Sequence, residues 1–115
     1  MPTTNVTEMA RQHLRNAASA SSHRSAETVY GGHEHALRQT VIALTAGTSL
    51  AEHENPGEAT LLVLHGSVRL HAGDDGTTLT SGELAPIPPV RHSLEALEDS
   101  AVLLTVAKLG SPVGG

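Results

Sequence analysis

The first stretch of the chain with a readable period is Val6 to Ala20, where Val6, Met9, Ala10, Leu14 and Ala17 recur at the three- and four-residue spacing of a helix face. Asn5 or Thr7 offers a side-chain oxygen for its cap. The apolar stripe is thin, so the helix is marginal alone and is expected to pack on the rest of the domain, pack on a partner subunit, or fray. The small polar run Ser19 to Ser25 reads as a linker. From Glu27 onward the period changes to two and turn residues arrive at short, regular intervals, the pattern of an all-β sandwich or barrel. Strands are predicted at Glu27 to Tyr30, His35 to Leu44, Leu50 to Glu54, Thr60 to Leu64, Ser67 to Ala72, Thr77 to Thr80, Leu84 to Ile87, His92 to Ala96 and Ala101 to Ala107. Turns fall at Gly31-Gly32, Ala46-Gly47, Asn55-Pro56-Gly57, Asp74-Asp75-Gly76, Ser81-Gly82 and Glu98-Asp99. The resulting organisation is a helical arm and linker over 1–25, a β-barrel over 26–109 and a disordered tail, GSPVGG, over 110–115.

Composition narrows this picture. At 115 residues the chain holds one domain and one core. With a single Tyr and neither Phe nor Trp, that core must be built from Leu, Val, Ile and Ala. The lack of rings that stack on bases, together with a formal charge of −5, argues against a nucleic-acid partner. There is no cysteine, which excludes disulfides, thiolate metal sites and Cys nucleophiles. No basic-then-apolar leader and no apolar run of membrane-spanning length is present, so a cytoplasmic protein without a membrane partner is expected. Eight histidines are the one unusual count, and imidazole is both a common metal ligand and the side chain that titrates near neutrality.

The segment GTSLAEHENPGEATLLVLHGSVRL, residues 47 to 70, resembles the first conserved motif of the cupin superfamily: Gly, five residues, His, one, His, three or four, Glu, six, Gly. Gly47, His53 and Gly66 stand at matching places, while Asn55 occupies the second His position and Ala59 the Glu position. SGELAPIPPVRHSLEAL, residues 81 to 97, resembles the second motif through Gly82, Pro88 and His92. The whole chain is similar to short single-domain cupins of actinobacterial type, with TVYGGHEHALRQT before the first motif and RHSLEALEDSAVLLTVAK after the second. The resemblance implies an all-β, RmlC-like jelly-roll barrel, a double-stranded β-helix with a short N-terminal helix. It also implies a homodimer, as cupins commonly pair edge strands.

In metal-binding cupins three His and one Glu converge inside the barrel on Fe, Mn, Ni, Zn or a similar divalent ion. Transferred to the matching positions, this implies His53 and His92 as metal ligands. With only two of four donors kept, such an ion is expected to bind weakly. Asn55 and Gln39 are the polar candidates for contacting a cofactor or ligand, and Glu58, His33 or His35 are candidates to complete the ligand set through a bulge at Pro56-Gly57 or an approach from the first strands. Alternation along the strand turns Glu58 outward. His65 and His71 are read as surface or interface residues, and His13 and His23 as residues of the arm and linker without chemical roles.

Three functions stay open on this reading. The first is a small molecule or divalent ion bound inside the barrel, lined by Leu61, Val63, Val68 and Leu84 with His53, Asn55 and His92 as its polar groups. The second is a metal-dependent oxygenase or isomerase in which Glu58 joins the two His as a facial triad. The third is a ligand-sensing or assembly module that uses the arm. Gly-rich phosphate loops, Gly-x-Ser-x-Gly elbows and metalloprotease helices are absent from the sequence.

Overall fold

The computed structural model describes residues 1–53 and 57–108, with Glu52 and His53 described in their backbones alone. The tail over 110–115 and Asn55 lie outside the described residues. One helix, α1 (Val6–Ser19), precedes the strands β1 (Arg24–Gly31), β2 (Leu37–Leu44), β3 (Ser49–His53), β4 (Glu58–His65), β5 (Ser67–Ala72), β6 (Asp75–Thr80), β7 (Leu84–Pro86), β8 (His92–Ala96) and β9 (Ser100–Ala107). All pairings among the described strands are antiparallel, and they form two sheets in the orders β1-β2-β9-β4-β7 and β3-β8-β5-β6. The all-β jelly roll with an N-terminal helix is therefore the observed architecture. None of the described helices is long and apolar enough to cross a membrane.

Every predicted strand is present; Ser67–Ala72 and His92–Ala96 have the predicted ends, and the others differ by a few residues. β1 begins at Arg24 and takes up residues read as linker, because Ser25 and Glu27 both face the helix and pair with Ala43 and Val41 of β2. β2 begins at Leu37, since His35 is held in a turn by its N–H donating to the Gly32 carbonyl at 3.2 Å. β6 begins at Asp75, because Ala72 pairs with Asp75 and leaves a two-residue turn of Gly73 and Asp74.

The core between the sheets is aliphatic, as the composition requires. Leu44, Leu61, Val63, Val68, Leu94 and Val102 are buried in it at positions that alternate along their strands. On the outer face of the first sheet, α1 buries Ala10, His13 and Ala17, and the two alanines pack with Ala43 and Ala101. Small side chains on both surfaces suit a close helix–sheet approach. Among the three outcomes expected for the helix, packing on the domain is the one observed. Asn5 caps it, its side chain accepting from the Glu8 N–H at 3.0 Å.

His13, expected to be idle, is 6% exposed at this interface. Its Nδ1 lies 2.6 Å from the Ser25 hydroxyl and its Nε2 donates to the Glu27 carboxylate at 2.8 Å. The ring thus ties α1 to β1 at both nitrogens. His13→Ala removes two buried hydrogen bonds and the ring's packing, and is expected to lower stability by about 1–3 kcal/mol in urea unfolding.

Gly66 turns β4 into β5 at φ 87°, where a Cβ would come within 2.4 Å of both the Asp99 carbonyl oxygen and the Ser100 hydroxyl. That hydroxyl is itself fixed, within hydrogen-bond distance of the Ser67 N–H and carbonyl. Gly66→Ala is expected to cost at least about 2 kcal/mol, seen as a drop in Tm of about 10 °C.

Candidate functional site

The second sheet builds the site through β8 and its two neighbours. His92, Leu94 and Ala96 alternate inward along β8, so an imidazole is carried into an aliphatic interior, 3% exposed. The preceding prolines, Pro88 and Pro89, have no N–H to give to a ladder, and the chain reaches β8 without strand pairing. There the Val90 carbonyl turns back onto the ring, accepting from His92 Nδ1 at 2.9 Å. A carbonyl only accepts, so Nδ1 carries a proton. Carbonyl anchoring of one nitrogen is the usual means of orienting a histidine whose other nitrogen meets a ligand.

β3 lies beside β8. Leu50 pairs with Leu94, the register then shifts, and His53 pairs with His92. Three steps along β3 match two along β8, the signature of a bulge. The two histidines that the motifs single out are therefore directly opposed in the backbone, although 39 positions separate them in sequence.

The remaining candidates are placed elsewhere. Gln39 shares a face with Val41 and Ala43, the side of β2 turned to the helix, and its amide donates to Thr105 Oγ1 at 3.2 Å. It does not join the interior group, because Ile42 and Leu44 take the inward positions of that strand. Ala59, at the motif's carboxylate position, is buried in the core, and Glu58 beside it is exposed on the opposite face of β4. The facial triad that required Glu58 is thereby overturned: the alternation of β4 turns its carboxylate away from the interior. His33 and His35 sit exposed in the β1–β2 turn, His35 stacking edge-on against Tyr30 with ring centroids 5.2 Å apart. His71 faces outward on β5, 3.4 Å from Glu95. Among the described residues no group of three His, Asp or Glu is arranged to hold a metal ion. Ala59 brings no donor, and the side chains of Glu52 and His53 and residues 54–56 lie outside the described residues.

Two spaces lie near β8, one lined by His92 and the other by Val90, two residues before it. One is a cavity of about 30 Å³ inside the barrel, lined by His92 and seven aliphatic side chains, among them Ile42, Leu61, Leu70 and Leu104. Leu84, expected in this lining, is instead 63% exposed, since it pairs with Leu62 on the outer face. Val63 and Val68 are wholly buried in the packed core.

The second space is an open groove of about 820 Å³ whose walls include Leu70, Thr77, Ala85, Pro86, Pro88 and Val90. Its origin is topological. β6 and β7 are consecutive, yet β6 pairs with β5 in one sheet and β7 with β4 in the other. They are joined by a tight turn at Ser81–Glu83, pinned to β4 where the Gly82 N–H donates to the Val63 carbonyl at 2.8 Å. The Glu83 carboxylate accepts from the Thr80 N–H and hydroxyl at 2.8 and 2.9 Å, which holds its carboxyl below the usual range and closes that turn. From this hinge the two edge strands diverge, and the groove is the wedge between them. Leu70 lines both spaces, and Val90 lines the groove while its carbonyl accepts from His92.

The fold has many solved counterparts. A conserved Streptococcus pyogenes protein of unknown function matches with a TM-score of 0.72 at 24% identity, over 80% of each chain. An RmlC-like cupin from Desulfovibrio desulfuricans matches with a TM-score of 0.63 at 27% identity, over 74% of this chain and 82% of that one. A cupin superfamily protein from Desulfitobacterium hafniense matches with a TM-score of 0.68 at 15% identity, over 73% and 76% of the two chains. No protein-family model and no curated protein matches the sequence.

Proposed function

We propose that this chain, a small cupin by fold, binds a small molecule at the barrel mouth, in the wedge between β6 and β7, with the inner end of the site directed toward His92. One observation carries the reading: the buried imidazole of His92, oriented by the Val90 carbonyl, lines a small cavity with seven aliphatic residues, and the neighbouring groove shares Leu70 with that cavity and is itself lined by Val90. Apolar walls with a few convergent polar groups are the usual make-up of a small-molecule site, and about 820 Å³ is ample for one. The inner cavity, at about 30 Å³, has room for one water-sized group, so it suits the tip of a ligand rather than its body.

Screening a fragment library by thermal shift tests this. A ligand of the wedge is expected to raise Tm by about 4 °C or more near saturation, and to lose that effect in Thr77→Trp, which fills the groove from an exposed position on β6. Hits that stabilise the variant as well as the wild type would count against the site.

A divalent ion at His53 and His92 is the second reading, favoured by the register that opposes the two residues and by the anchored Nδ1 of His92. Two imidazoles without a carboxylate from β4 leave a divalent charge poorly compensated, so such an ion is held weakly. At 1 mM, Zn²⁺, Ni²⁺, Mn²⁺ or Fe²⁺ is expected to raise Tm by less than about 4 °C, the shift corresponding to a Kd no tighter than about 0.2 mM. Any rise should vanish in His53→Ala and in His92→Ala. Tight stoichiometric metal in the purified protein would reverse the order of the two readings.

A further inference from the structure

The wedge carries information about the charge of what it holds. Its inner walls, Leu70, Ala85, Pro86, Pro88 and Val90, are aliphatic, whereas exposed residues form its outer rim: Asp74 of the β5–β6 turn, and Asp75 and Thr77 of β6. No Lys, Arg or His is among the residues lining it. The cation of the same hairpin, Arg69, is turned to the other face of the sheet, where its guanidinium lies over Gly76 and donates to Thr78 Oγ1 at 3.0 Å. The net charge of −5 over the whole chain has the same sign as the rim. An anion entering the groove therefore meets repulsion from the rim and no compensating donor of positive charge. An ammonium group meets two carboxylates, each worth a several-fold gain in affinity at about 4 Å even in water.

Resting on the reading of the wedge as a ligand site, we infer that its ligand is a small aliphatic amine. The hydrocarbon body lies against Leu70, Ala85 and Val90, and the ammonium group lies at the rim between Asp74 and Asp75. The absence of aromatic rings from the walls favours a saturated body over a planar one. The apolar walls hold the ligand, and the carboxylates choose among molecules of similar shape. Carboxylates, phosphates and nucleotide-linked molecules are rejected by the same rim.

The experiment is a comparison of three probes of one chain length, n-butylammonium, n-butanol and butyrate, titrated at constant ionic strength into the ¹⁵N-labelled full chain and followed through backbone amide shifts. Butylammonium is expected to move the amides of Ala72, Asp75, Thr77 and Ala85 and to bind about tenfold more tightly than n-butanol. Butyrate is expected to give no saturable shift there. In Asp74→Asn/Asp75→Asn, which keeps residues suited to the turn, butylammonium should fall to the level of n-butanol. Butyrate binding as tightly as butylammonium, or an ammonium preference that survives the double substitution, overturns the selection for amines while leaving the wedge as a ligand site. Failure of all three probes to move the groove amides overturns the wedge itself, and the amine with it.

Discussion

The mouth of this barrel, as far as it is described, is organised around the buried imidazole of His92, set among aliphatic side chains. Putting a polar group there without a hydrogen bond costs roughly 2–7 kcal/mol, so the local structure must answer it. The answer on the Nδ1 side is the Val90 carbonyl at 2.9 Å, delivered by a segment whose two prolines keep it out of any sheet ladder. Inward alternation of His92, Leu94 and Ala96 fixes which face the ring takes, and the pairing of β8 with both β3 and β5 fixes where along the barrel it sits. Moving β8 by one residue would expose the ring and bury Ser93 and Glu95 in its place.

Much of this was legible in the residues. Period-two patterning with Gly, Asn and Asp between the runs identified every strand, because an aliphatic core seen from one face of each strand leaves that mark. The outward direction of Glu58 followed from alternation alone. The same argument, carried from Ile42 and Leu44, places Gln39 on the helix side, so that residue was readable and was assigned by its nearness to the mouth instead. Leu84 was harder: a three-residue strand ending in Pro86 has too few positions to declare its face, and only the pairing of Leu84 with Leu62 does so. His13 was hidden for another reason. A histidine between Ala10 and Ala17 on a thin stripe looks like surface until its partners, Ser25 and Glu27, are known to belong to a strand rather than a linker.

The wedge was the least legible feature, since it belongs to no motif. It arises because two neighbouring strands joined by a tight turn enter different sheets, and sequence patterning reports which residues face inward without reporting which sheet a strand joins. The cue that was available is the density of prolines: Pro86, Pro88 and Pro89 lack the N–H groups that a further ladder partner would need, so the β7 side of the gap resists closure.

Loss of the motif carboxylate and the presence of the wedge bear on each other. With Ala59 in the carboxylate position, the described side chains lining the cavity with His92 are aliphatic, and the described carboxylates of the mouth, Asp74 and Asp75, line the groove instead. Val90 adjoins both regions, for it lines the groove and its carbonyl accepts from His92 Nδ1. The groove's lining and the acceptor that orients the buried ring thus belong to one residue.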